Sequence, residues 1–121
     1  MKVLIIDDSL IMRNIHKNGL KMCGIKEDDM IDAGDGQTAL TIAKNEPIGL
    51  FLVDWNMPKL DGLQLLKSLR SIPIYSTTPI IMITSEAAKY NVMEAIDAGV
   101  TNYMVKPVTE KSFVEKIKKY L

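Results

Sequence analysis

Leu50-Phe51-Leu52-Val53-Asp54-Trp55-Asn56-Met57-Pro58 is the stretch whose reading settles the fold. Its four leading apolar residues form a continuous run, the pattern of a strand buried on both faces of a parallel sheet. The run ends in an acid, and Pro58, which has no N–H for a ladder bond, forbids the strand from continuing. A carboxylate at the tip of a buried strand sits where open α/β sheets bind their ligands. Asp54 is therefore the first candidate functional residue.

The same signature recurs on either side. Val3 to Ile6 is an unbroken apolar run closed by Asp7-Asp8, and Ile80 to Ile83 is another, ending in Thr84-Ser85. Asp29 to Ala33 reads as a weaker strand at an edge, and Thr101 to Val105 as a last strand ended by Lys106-Pro107. Helical spacing fills the intervals. Ser9 can cap a helix with Met12, Ile15, Gly19 and Met22 on one side. Asp35-Gly36 opens a short helix through Ala39, Leu40 and Ala43, which Glu46-Pro47 stops. Asp61-Gly62 opens a third, in which Leu63, Leu66 and Leu69 recur, and Pro73 to Pro79 is a loop. A fourth uses Val92, Ala95 and Ile96 and stops at Gly99. Thr109 caps a fifth carrying Phe113, Ile117 and Leu121. A strand followed by a helix, five times over, predicts a single doubly wound (βα)5 domain over residues 1–121. Its parallel sheet has helices on both faces and right-handed crossovers.

Composition narrows the partners. At 121 residues, 47% hydrophobic and 25% charged, the chain can bury a core of ordinary globular kind. Lys+Arg and Asp+Glu both number 15, so no overall field steers it toward nucleic acid or a membrane surface. The single cysteine, Cys23, cannot form an internal disulfide and reads as a small core residue. The apolar start at Met1 is broken too early by Asp7-Asp8 to be a signal peptide. No stretch reaches the ~18 apolar residues of a membrane span. A cytoplasmic location is the expectation.

Polar side chains gather at the strand ends: Asp7-Asp8, Asp54, Thr84-Ser85 and Lys106. In a parallel sheet these ends open on one edge, so the residues must converge. Clustered carboxylates repel one another unless a cation lies among them. Oxygen ligands with room for water point to Mg²⁺. A carboxylate beside Mg²⁺, with a lysine and a hydroxyl, is suited to a phosphoryl group. Asp54 would be the nucleophile forming an acyl phosphate, with Mg²⁺, Lys106 and Thr84 sharing the charge on its oxygens. The duller reading, that acids here merely cap helices, fits Asp35 and Asp61 but not the Asp7, Asp8 and Asp54 group facing Lys106.

In these features the chain resembles bacterial response-regulator receiver domains, and among them the chemotaxis members. The resemblance covers essentially the whole chain. It rests on Asp7-Asp8-Ser9, Asp54-Trp55-Asn56-Met57-Pro58 with Asp61-Gly62, Thr84-Ser85-Glu86-Ala87, Ala98-Gly99, and Tyr103-Met104-Val105-Lys106-Pro107. It implies the flavodoxin-like strand order 2-1-3-4-5. It also implies that Asp54 is the phosphoacceptor and that Asp8 binds Mg²⁺ directly, Asp7 through water and Asn56 by its backbone carbonyl. Thr84 and Tyr103 match the family's switch pair, and Lys106 its salt-bridge lysine, followed by a cis bond to Pro107. Asn56 and Glu86 match the positions that tune loss of the phosphoryl group. The implied output face is the fourth helix, fifth strand and fifth helix, including Lys89, Tyr90, Val92, Tyr103, Lys116 and Lys119. Lysines there read either as solvated surface or as a binding face. The acidic Glu27-Asp28-Asp29 departs from the closest pattern and reads as solvated charge. His16, the one histidine, is placed on the first helix's outer side and is not taken as a phosphorelay site.

The function expected is a stand-alone response regulator, not an enzyme in its own right, and a monomer. A histidine kinase would phosphorylate it, a phosphatase would be a possible further partner, and the flagellar motor switch protein would be its target. A phosphorelay intermediate or phosphate sink is the alternative of the same type. A flavodoxin-like carrier fares worse, because Asp7-Asp8 would repel a phosphate after the first strand. So does an aspartyl-nucleophile phosphatase, which needs a second acid where Asn56 stands.

Overall fold

The computed structural model describes residues 1–55, 57, 60–85 and 89–121, the side chains of 85 and 89–92 excepted. The chain alternates strand and helix as its sequence predicts. β1 (Val3–Ile6) leads to α1 (Leu10–Met22), β2 (Met30–Ala33) to α2 (Gly36–Asn45), and β3 (Leu50–Asp54) to α3 (Gly62–Arg70). β4 (Ile80–Ser85) and α4 (Lys89–Asp97), then β5 (Asn102–Lys106) and α5 (Glu110–Ile117), complete the series. The strands are parallel and lie in the order β2-β1-β3-β4-β5. No helix among the described residues is long and apolar enough to cross a membrane.

Why the three inner strands read as unbroken apolar runs is now plain. Alternate residues point to opposite faces of a sheet, and here both faces are covered. Leu4, Ile6, Phe51, Val53, Ile80 and Met82 join one apolar layer with Ala39, Leu65, Leu66, Leu69 and Ala95 of α2, α3 and α4. Val3, Ile5, Leu50, Leu52, Ile81 and Ile83 join the other with Leu20 of α1 and Phe113 and Ile117 of α5. The edge strands are less covered: β2 buries its two ends, Met30 and Ala33, with Ile31 and Asp32 half-buried between them, and in β5 only Met104 is buried.

Capping follows the sequence. The side chains of Ser9, Asp35, Asp61 and Thr109 accept hydrogen bonds from the backbone N–H groups of Met12, Thr38, Gln64 and Ser112. Gly99 ends α4 with φ of 96°, a left-handed backbone natural only to glycine. The Lys106–Pro107 bond is cis.

Four expectations are corrected. First, α1 is turned. It buries His16, Gly19 and Leu20, while Ile15 and Met22 face outward and Met12 is half-buried. His16 thus lies inside, 1% exposed and stacked on Phe113 with ring centroids 5.5 Å apart, not on the outer side. The cause is tertiary. Arg13 and Lys17 both reach Asp32 on β2, at 2.9 and 3.0 Å, which fixes the helix's rotation. Gly19 then lies against the Phe113 ring so closely that a Cβ would stand 2.5 Å from Cδ1. Second, Cys23 is half-buried at the end of α1 rather than in the core, its N–H closing the helix on Gly19 and Leu20. Third, Ile96 and Leu121 are exposed, at 53% and 39%. Fourth, the loop after α3 contains a 3-10 turn, Pro73–Tyr75, whose Tyr75 is buried. The Tyr75 hydroxyl lies 2.6 and 2.7 Å from the carbonyls of Ala43 and Glu46 and accepts from the Ile48 N–H.

Candidate functional site

Four strands deliver the site. Ile6, the last residue of β1, is registered against Val53, so Asp7 and Asp54 end neighbouring strands at the same height. Asp54 is registered against Ile83, which puts Thr84 one residue beyond it on β4, and Ser85 is registered against Lys106 on β5. Asp7, Asp54 and Thr84 are buried and Asp8 is exposed. One carboxylate oxygen from each of Asp7, Asp8 and Asp54 lies within 4.8 Å of the other two. Across β4, the Lys106 ammonium donates to Asp54 Oδ1 at 3.0 Å.

The start of α3 closes on the site from the side. Gly62 donates to the Trp55 carbonyl at 3.0 Å. A Cβ at Gly62 would stand 2.8 Å from the Asp54 carbonyl oxygen, so the close approach requires glycine. Trp55 donates in turn to the Ile83 carbonyl and is buried in the layer beneath α3.

Asp7 is held at several atoms. Its Oδ1 accepts from the Ser9 N–H at 2.8 Å, its own N–H donates to the Ala33 carbonyl at 3.1 Å, and its carbonyl accepts from Arg13 Nη1 at 2.6 Å. Its Oδ2 is buried with no hydrogen-bond partner. Burial pushes its pKa up to about 6, aided by the charges of Asp54 and Asp8 and opposed by the Ser9 bond and Lys106. A buried carboxylate oxygen without a donor is costly unless a cation completes it. With three converging carboxylates, the donor set fits a hard divalent ion that keeps some of its water. Lys106 alone offers one charge to this group.

The remaining expected residues fall as follows. Tyr103, 37% exposed, turns its ring outward. Lys116 donates to its carbonyl at 2.8 Å and lies 5.5 Å from its ring centroid. Lys119 is exposed on the turn after α5. Lys89, Tyr90 and Val92 occupy α4, but their side chains lie outside the described residues, as Asn56 and Glu86 do entirely. Sequence reasoning missed Arg13, which touches Asp7 through its backbone. The available signal was a cation on the second turn of α1 with an acid, Asp32, on the neighbouring strand.

Comparison with known proteins agrees with this geometry. The model of the family "Response regulator receiver domain" matches residues 3–118. A "Chemotaxis protein CheY homolog" of Campylobacter jejuni is 43% identical, the match covering 100% of this chain and 92% of that protein. "Chemotaxis protein CheY-3" of Vibrio cholerae is 41% identical, over 98% of this chain and 90% of that one. Among solved structures, the chemotaxis response regulator CheY4 of Vibrio cholerae superposes with a TM-score of 0.90 at 30% identity. That superposition covers 99% of this chain and 98% of the other.

Proposed function

The chain belongs to the response regulator receiver domain family, and from that premise we propose that it takes a phosphoryl group on Asp54 from a phosphohistidine of a histidine kinase. Asp7, Asp8, Asp54 and the Asn56 carbonyl would hold Mg²⁺. The observation that carries the reading is the Lys106–Asp54 contact of 3.0 Å inside the three-carboxylate cluster. It supports the reading because an ammonium and three carboxylates lie close together there, as a phosphoryl acceptor with a metal beside it would need.

Mg²⁺ supplies charge neutralisation for the phosphoryl oxygens and relieves the repulsion among the acids. The rest falls to side chains. An Asp54 carboxylate oxygen attacks phosphorus in line. The P–O bond forms as the P–N bond to the imidazole breaks, and the electron pair returns to the ring nitrogen. Lys106 moves its ammonium from the carboxylate to a phosphoryl oxygen, and the Thr84 hydroxyl donates to another. Tyr103 leaves its outward position as Thr84 moves, which remodels the face of α4, β5 and α5. The fitting target is the flagellar motor switch protein, a reading supported by the chemotaxis names of the relatives described above.

Incubation with acetyl phosphate and Mg²⁺, read by intact mass, tests the acceptor. The parent should gain one phosphoryl group, and Asp54→Asn should gain none. Labelling of that variant at the parent's rate would end the assignment.

A further inference from the structure

The acidic cluster has a support that the phosphoryl chemistry does not itself require. Arg13 lies on the second turn of α1 and is largely buried. Its guanidinium reaches back over the turn between β1 and α1, Nη1 donating to the Asp7 carbonyl at 2.6 Å. Its Nε donates to Asp32 Oδ2 on β2 at 2.9 Å. The other Asp32 oxygen takes the Lys17 ammonium at 3.0 Å. Burial pushes the Asp32 carboxyl up, but the bonds and charges of Lys17 and Arg13 outweigh it and hold it below the usual range. Asp32 is therefore a charged anchor that aims the guanidinium. The passage is narrow, since a Cβ at Gly34 would stand 3.3 Å from Nη1.

We propose that Arg13 is a positioning residue for the metal site, pinning the backbone of Asp7 so that Oδ2 faces the cation. The Asp7 N–H is held by Ala33, its carbonyl by Arg13 and its Oδ1 by Ser9, which leaves Oδ2 as the buried atom without a partner. Loosen the carbonyl and the residue can rotate away from the two acids that repel it. Only a fork-shaped donor can bond Asp32 and the Asp7 carbonyl at once; a lysine ammonium on a shorter stem reaches one of them. Positive charge alone is not the means proposed, and Arg13→Lys, which keeps that charge, tests the point.

This inference rests on the reading of the cluster as a Mg²⁺ site, and the test separates the two. Mg²⁺ alone is titrated into the parent, Arg13→Lys, Asp32→Asn and Lys17→Ala, followed by Trp55 emission, with melting recorded in EDTA. Arg13→Lys should raise the Kd for Mg²⁺ about fivefold, which corresponds to about 1 kcal/mol. Asp32→Asn, which leaves the guanidinium unaimed, should raise it by a smaller factor and serves if Arg13→Lys does not fold. Lys17→Ala removes a charge from the same carboxylate without touching Asp7 and should leave the Kd unchanged. A parent-like Kd in Arg13→Lys overturns the positioning role. So does an equal rise in Lys17→Ala, which would make the effect one of network stability. A parent that binds no Mg²⁺ removes the metal reading and this inference with it.

Discussion

At the scale of single residues, two buried titratable groups pull stability in opposite directions with pH. Burial lowers the His16 pKa from 6.5 to about 4, with the charge of Lys106 contributing. Between those values the unfolded chain takes a proton that the folded chain refuses, so folding weakens as pH falls through 6.5 and the loss levels off near 4. Asp7, raised from 3.8 to about 6, does the reverse, its folded form holding a proton the unfolded form has shed. In the metal-free protein the two slopes partly cancel. His16→Leu isolates one of them, because Asp7 is common to both proteins. Between about pH 7 and pH 5 the parent should lose roughly 2 kcal/mol more than the variant. Urea unfolding at both pH values measures this, and equal losses would mean that His16 is not the proton-sensitive group. Neither shift is written in the residue types; both arise from what the fold packs around them.

Elements are held by side chains that reach beyond their own helix, and this is where the sequence was hardest to read. The rotation of α1 depends on Asp32, nineteen residues away in sequence from Arg13, and on the fit of Phe113 against Gly19. Apolar spacing favoured Ile15 and Met22 beside Gly19, yet the buried side is rotated from that stripe onto Gly19, His16 and Leu20. Arg70, at the end of α3, is a second such link. It donates to the carbonyls of Tyr75, Thr78 and Gly99 and to the Thr101 hydroxyl. It thereby joins the loop before β4 to the end of α4 and the start of β5. Burial pulls its pKa down. Arg70→Met keeps most of the stem and removes every donor, and should cost about 2 kcal/mol by thermal or urea unfolding. A loss below about 0.5 kcal/mol would show those bonds to be replaced by water without penalty.

The molecule as a whole was more legible than its helices. Three buried runs ending in polar residues, in a chain that alternates strand and helix, force those residues onto one edge of one sheet. Asp7, Asp54, Thr84 and Lys106 were therefore brought together by topology before any distance was known. Lys106 then acquires a second significance, since its side chain crosses β4 to link edge strand β5 to central strand β3. Lys106→Met should still bind Mg²⁺ and beryllofluoride, read by Trp55 emission. Beryllofluoride should no longer tighten binding of a labelled N-terminal peptide of the flagellar switch protein, whereas in the parent it should. Parent-like tightening in the variant would show that the lysine does not carry the signal to β5. The sheet also parts the apolar interior into two compartments, and the chain has one tryptophan and one histidine. Trp55 lies in the compartment under α2, α3 and α4, and His16 stacks on Phe113 in the one under α1 and α5. The unaltered protein thus holds one native reporter per compartment. Indole emission and a lone set of imidazole resonances can follow the two halves separately, with no label added and no assignment to resolve.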